Sequence, residues 1–148
     1  MYLTLSKKIS ILSFLVMFFT LVKSQNFSLV QQNSIRVIVN NDTLINPWTG
    51  GFNSAQISKI DLNNDQIEDL FVFDRSSDKV ITFISENNNF IYAPEYERLF
   101  PPDLKNWVLL RDFNNDGKKD IFSYVSGGIG LWKNTSSGNE LSFNSLSF

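Results

Sequence analysis

Asp112-Phe-Asn-Asn-Asp-Gly-Lys-Lys-Asp120, followed by Ile121-Phe122, is the stretch on which the reading of this chain turns. Asp112, Asn114 and Asp116 alternate, so in a tight loop their side-chain oxygens can converge on one point. Gly117 stands where a loop wrapping an ion turns sharply and calls for φ > 0. Lys118 then supplies only its backbone carbonyl, and Asp120 closes the ring. Hard oxygen donors, several of them charged, with neither sulfur nor imidazole, select calcium over transition metals. The stretch recurs as Asp61-Leu-Asn-Asn-Asp-Gln-Ile-Glu-Asp69, followed by Leu70-Phe71. Six of the eleven aligned positions are identical, at an offset of 51 residues. A repeated acidic loop at that period points to a repeat array with one cation per unit.

The 148 residues are 43% hydrophobic and 14% aromatic, enough for one domain with a real core. Val, Ile, Phe, Tyr and Trp are plentiful, with Asn and Ser between them, which favours β-structure with polar turns. The chain has no histidine, which excludes a Ser-His-Asp or Cys-His triad and any histidine metal site. It has no cysteine, so no disulfide and no zinc-thiolate site.

Residues 1–24 read as a signal peptide. Lys7 and Lys8 form the positive region, Ile9 to Val22 a mostly apolar run, and Val22-Lys23-Ser24 the cleavage site, so Gln25 starts the mature chain. The apolar run is shorter than the ~20 residues of a membrane span, so no span is expected once the leader is removed. Taking away Lys7, Lys8 and Lys23 leaves 10 of 13 basic residues against 15 acidic ones, a net charge of −5. With no basic patch, nucleic acid is not an expected partner. Export also suits the acidic loops, because weak calcium sites fill where calcium is abundant.

Residues 25–52 read as an N-terminal hairpin and loop. Strands are expected over Ser28–Gln32 and Ile35–Val39, a turn at Asn40–Asp42 and a return strand over Thr43–Ile45. Asn46 to Gly51 is a loop, punctuated by Pro and paired Gly. A first unit, residues 53–100, follows. Gln56–Ile60 enters the acidic loop, Asp69–Asp74 leaves it, Lys79–Ser85 is a third strand and Phe90–Glu97 a fourth. Pro94 near the middle of that strand marks it as a protected edge. A connector over Leu99–Asn106 leads into a second unit, residues 101–148. Trp107–Asp112 then enters the loop, Asp120–Val125 leaves it, Ile129–Lys133 returns and Leu141–Phe148 is last. Leu70–Phe73 is apolar on both faces, as a strand between stacked sheets should be.

On these residues the chain resembles FG-GAP or VCBS repeats, the calcium-loop blades of integrin-α-type β-propellers. The family pattern Asp-x-[Asp/Asn]-x-Asp-Gly-x-x-Asp-[Leu/Ile] is matched by both loops, with a departure at Gln66, where the family prefers Gly. The resemblance spans residues 35–148 and implies calcium in the loop joining the first two strands of each blade. It implies Asp61, Asn63, Asp65, the Ile67 carbonyl and Asp69 as ligands at one site. At the other it implies Asp112, Asn114, Asp116, the Lys118 carbonyl and Asp120. A non-Gly residue at φ > 0 costs ~1 kcal/mol, so the first site should be the weaker. Pro47-Trp48-Thr49-Gly50-Gly51 and Gly128-Ile-Gly-Leu-Trp-Lys-Asn134 are similar to stretches of exported Bacteroidetes surface proteins.

The loops could be metal-free Asx turns, but three carboxylates in one loop, twice over, repel one another without a cation. An EF-hand needs an acidic residue at loop position twelve and helical flanks. Here that position is Val72 or Ser123 and the flanks are strands. Trp48, Trp107 and Trp132 are expected in the core and between blades rather than in a carbohydrate platform. Asn26-Phe-Ser, Asn41-Asp-Thr and Asn134-Thr-Ser fit a glycosylation sequon, and Asp42-Thr43-Leu44 an O-glycosylation pattern. All four are short, common patterns.

The expected fold is all-β: two four-stranded antiparallel propeller-type blades with calcium loops, part of an incomplete β-propeller. The expected function is a secreted or cell-surface binding or adhesion module, stabilised by calcium and without catalysis. Its ligand would be an extracellular protein or glycan. A non-catalytic repeat region of a larger secreted polysaccharide hydrolase or lyase, or a passive spacer, are the alternatives. Propellers close with 4–8 blades, so two blades leave open faces. Continuation of the chain is the preferred account of them, with self-association through those faces or a partner as the others.

Overall fold

The computed structural model describes Lys7, residues 27–30 and residues 32–146. The leader therefore lies outside the described residues apart from Lys7, as do Asn26, Ser147 and Phe148. Residues 35–148 form one compact unit, and it is this unit that carries the sheets. In the preceding unit, residues 27–30 and 32–34 carry no strand, so the expectation of one over Ser28–Gln32 fails for them.

The hairpin is shorter than expected. Strand β1 is Ile38–Val39 and β2 is Asp42–Thr43, paired antiparallel. Asn40 and Asn41 turn between them at φ 50° and 70°, a conformation that Asn tolerates better than most residues.

The first sheet is the meander β3 (Ala55–Ile60), β4 (Asp69–Asp74), β5 (Lys79–Glu86) and β6 (Asn89–Tyr92), in that spatial order and antiparallel throughout. The second repeats it with β7 (Val108–Arg111), β8 (Asp120–Val125), β9 (Gly128–Asn134) and β10 (Phe143–Leu146). In each sheet the acidic loop joins the first two strands. The bounds of β4 and β8 are those expected.

The last strands are not. The strand expected over Phe90–Glu97 ends at Tyr92. Ala93 pairs once more with Thr82, its N–H donating to the Thr82 carbonyl at 2.9 Å and its carbonyl accepting from Thr82 Oγ1 at 2.6 Å. Pro94 then starts a turn that leads into a 3-10 segment, Glu97–Leu99. Protection of the sheet edge comes instead from Asn46, whose amide acts as a piece of adjoining strand. Its Nδ2 donates to the Phe90 carbonyl at 2.6 Å and its Oδ1 accepts from the Tyr92 N–H at 2.8 Å. In the second sheet β10 is confined to Phe143–Leu146 among the described residues, after a Ser137–Glu140 bridge.

The core lies between the sheets. Ile60, Leu62, Phe71 and Phe73 of the first unit meet Val108, Leu110, Ile121, Trp132 and Leu141 of the second. The connector is more than a link, because Phe100 and Leu104 are buried in the same cluster. Phe100 stacks at 4.8 Å from Phe71 and 5.2 Å from Phe143, so rings from both sheets meet on it. Each such side chain contributes ~1.5–3 kcal/mol by leaving water. Strand β4 is buried on both faces as expected: Phe71 and Phe73 face the seam, while Val72 joins Ile81 and Phe83 on the other side. Gly130 lies under the Trp132 ring, and a Cβ there would come within 2.7 Å of it.

Trp132 is thus a core residue, as expected. Trp48 is not: it is 43% exposed, with its indole N–H donating to the Ile35 carbonyl at 2.8 Å. Trp107 is half-buried beside Val108.

Candidate metal centre

The two acidic loops share most of their hydrogen bonds, the second adding one from the Asn115 N–H to Asp112 Oδ1 at 2.7 Å. Asp61 Oδ2 accepts from the Gln66 N–H and Asp112 Oδ2 from the Gly117 N–H, both at 2.9 Å. Asp61 Oδ1 accepts from Asp65 N–H and Asp112 Oδ1 from Asp116 N–H, both at 3.2 Å. Asn63 and Asn114 each accept from the N–H two residues on, at 3.1 Å, and each donates Nδ2 to that residue's carboxylate at 2.9 Å. Asp65 Oδ1 accepts from Ile67 N–H at 2.7 Å and Asp116 Oδ1 from Lys118 N–H at 3.0 Å. These are nested Asx turns, the local bonding that Asp and Asn offer when they alternate.

The backbone reaches φ +70° at Gln66 and +84° at Gly117, the position for which the repeat calls for Gly. Asn64 and Asn115 also sit at positive φ, 58° and 62°. The loops therefore wind the same way despite the Gln66 departure.

The ninth position does something that local spacing does not reveal. Asp69 and Asp120 are fully buried. Asp69 accepts from Leu62 N–H at 2.9 Å and from Ser85 N–H at 2.8 Å. Asp120 accepts from Phe113 N–H at 3.0 Å and from Asn134 N–H at 2.7 Å. Each carboxylate thus staples the start of its loop to the third strand of its sheet. Burial raises the pKa of Asp69 above the ordinary carboxylate value. The Ser85 and Leu62 N–H groups oppose that rise, and the charges of Asp65 and Asp61 add to it. Asp116 moves the other way, held low first by the Asn114 amide and then by the Lys118 N–H.

The structure therefore brings Asp61, Asn63 and Asp65 into one loop, and Asp112, Asn114 and Asp116 into another. Ile67 and Lys118 follow directly, and Asp69 and Asp120 close each loop from within the sheet. Among the described residues no three acidic, histidine or cysteine side chains gather closely enough to hold a metal by themselves. Any cation would need Asn and carbonyl oxygens as well. The oxygen-only donor set fits a hard cation in residue type. The Lys118 side chain is turned elsewhere, its Nζ donating to the Ser136 carbonyl.

Between the loops lies an open cleft of about 290 Å³, lined in part by Asp61, Gln66, Glu68, Lys118 and Lys119. Lys119 Nζ meets Glu68 Oε1 at 2.6 Å and donates to the Lys59 carbonyl at 2.9 Å. Lys59 adds a longer pair to Glu68 at 3.4 Å. The bond from Lys119 holds the Glu68 carboxyl below its ordinary pKa. Glu68 and Lys119 occupy the same loop position, the eighth, with opposite charge. That alternation was the sequence signal for an ion pair between repeats, and it is easily overlooked. Asn64 Nδ2 adds a second tie, to the Gly138 carbonyl at 2.7 Å.

Two of the sequons can be placed. Asn41 is exposed. Asn134 is buried, with its Nδ2 donating to the Lys119 carbonyl at 3.1 Å and its Oδ1 accepting from Ser136 N–H at 3.0 Å, so it is closed to modification in the folded protein.

No curated protein and no solved structure matches the chain. A family model does. Residues 61–123, from the first residue of one acidic loop to the strand that follows the other, match the FG-GAP-like repeat, and this repeat suggests a β-propeller-type module.

Proposed function

We propose that this protein is a secreted or cell-surface module that binds or adheres to an extracellular protein or glycan, is stabilised by calcium, and does no catalysis. The observation that carries the reading is the doubled acidic loop, with its matching hydrogen bonds and its place between the first two strands of each sheet. Asp61, Asn63, Asp65, the Ile67 carbonyl and Asp69 would hold one ion. Asp112, Asn114, Asp116, the Lys118 carbonyl and Asp120 would hold the other. Calcium would supply structural charge: it would offset the repulsion among the loop carboxylates and tie the first two strands together.

The apolar leader favours export, and among the described residues no helix is long and apolar enough to cross a membrane. The resemblance to VCBS repeats and to exported Bacteroidetes surface proteins points the same way. The non-catalytic reading rests on composition. Without histidine or cysteine, a general base would have to be Asp, Glu, Lys or Tyr. The test is a screen of the purified protein on glycan and extracellular-protein arrays, with calcium and with chelator. Binding to one class that chelator abolishes is the expected result. Turnover of a polysaccharide, or no binding in either condition, would contradict it.

A further inference from the structure

We propose that the two acidic loops are a coupled pair, in which calcium in either loop strengthens its binding in the other. This coupling rests on the calcium reading of the loops. Its physical basis is a set of side chains that bind both loops at once. Lys119, which precedes the closing Asp120 of the second loop, reaches across to the first. Its Nζ meets Glu68, the residue before the closing Asp69, at 2.6 Å. It also donates to the carbonyl of Lys59, two residues before the opening Asp61, at 2.9 Å. One side chain of the second loop therefore holds both ends of the first.

The turn between β9 and β10 makes the second connection. Asn134 and Ser136 are buried in it. Asn134 is fastened to the second loop twice: its N–H donates to Asp120 Oδ1 and its Nδ2 to the Lys119 carbonyl. The Ser136 carbonyl accepts from Lys118 Nζ, and the Ser136 N–H donates to Asn134 Oδ1. Two residues further on, the Gly138 carbonyl accepts from Asn64 Nδ2 at 2.7 Å. Asn64 stands between Asn63 and Asp65, inside the row of proposed ligands. The turn is thus gripped by the second loop at its start and by the first at its tip.

An ion fixes the loop that it enters. A tie shared by both loops is ordered once, by whichever ion binds first. The second ion then meets a loop that has already lost part of its freedom. The effect is reciprocal, since each site must change the other's affinity by the same factor. Charge acts in the opposite sense, because an ion in one loop repels an ion approaching the other. Most loop residues are exposed, so water and salt weaken that repulsion. The direct ties therefore set the sign.

The experiment is a calcium titration of the purified protein followed by NMR, with the Gln66 and Gly117 amides reporting the two loops separately. Asp112→Ala, which disables the second loop, should weaken calcium binding at the first by about 5-fold or more. Asn64→Gly and Lys119→Met together remove both connections and leave every proposed ligand in place. Asn64 lies at φ 58°, a conformation Gly also adopts. In that background Asp112→Ala should change the first loop's affinity by less than about 2-fold. Circular dichroism checks that each variant is folded, and the wild type alone gives a second reading. Both of its amides should move over the same calcium range, more steeply than one-site binding. Separate one-site curves, or an Asp112→Ala variant whose first loop binds as well as before or better, would overturn the coupling and leave calcium binding intact. Equal weakening with and without the ties would overturn the route through Lys119 and the turn. No response of either amide at millimolar calcium would reject the calcium reading, and the coupling with it.

Discussion

Gln66 and Gly117 are equivalent residues with the same backbone conformation and different side chains, so they isolate one physical variable. A side chain at φ > 0 costs ~1 kcal/mol relative to Gly. Part of this is returned through the unfolded chain, which Gly makes more flexible. If calcium occupies both loops, the second site binds more tightly. Gln66→Gly should then raise calcium affinity at the first site by up to ~5-fold, and Gly117→Gln should lower it at the second by a similar factor. Titration calorimetry on both variants checks this, and unchanged affinities would reject the backbone argument. Much at this scale was legible in advance: the alternation of Asp and Asn, the positive φ, the oxygen-only donors. The amides of Ser85 and Asn134 that receive Asp69 and Asp120 were not, because they come from a strand 14 or 16 residues away and leave no local trace.

Strands and loops are held together here by buried polar staples, of which Asp74 is the densest. It lies at the end of β4 and accepts from Ser76 Oγ at 2.8 Å, from the Ser76 and Ser54 N–H groups at 3.1 Å and from Asn53 N–H at 3.3 Å. The Ser76 hydroxyl, then the Ser76 N–H and the amides before β3, hold its carboxyl well below the usual range. The folded state therefore favours the ionised form. Its stabilisation is complete above the unfolded value of about 3.9 and is lost as pH falls through and below it. Asp74→Asn should lower the thermal midpoint at neutral pH, with a deficit that shrinks as the pH drops below about 4. Melting curves at a series of pH values test this, and a pH-independent deficit would contradict it.

The same scale shows why some elements could be read and others not. β4 and β8 carry apolar residues on both faces between an acidic loop and a tight turn, so their bounds follow from composition. β6 could not be delimited, because Ile91-Tyr92-Ala93 continues a β-like pattern up to a proline that in fact opens a turn. Ile35 and Val37 have strand propensity but lie outside the two-residue pairing of β1 with β2. Asn46, which caps β6 from 44 residues away, looked like an ordinary loop residue.

At the scale of the whole molecule, two equivalent sheets share one core, with the acidic loops side by side and the Glu68–Lys119 pair bridging them. The seam is built from apolar burial, and calcium would act beside it, on the first hairpin of each sheet. The central claim is that the loops are cation sites rather than metal-free Asx turns. Thermal unfolding of the purified protein in millimolar calcium and in EDTA tests it most directly. One site with calcium at a hundredfold its dissociation constant adds ~2.7 kcal/mol, which for a chain of this size raises the midpoint on the order of 10 °C. That rise, reversed by EDTA and reduced by Asp112→Ala, is the predicted result. Identical midpoints in calcium and EDTA would contradict the account.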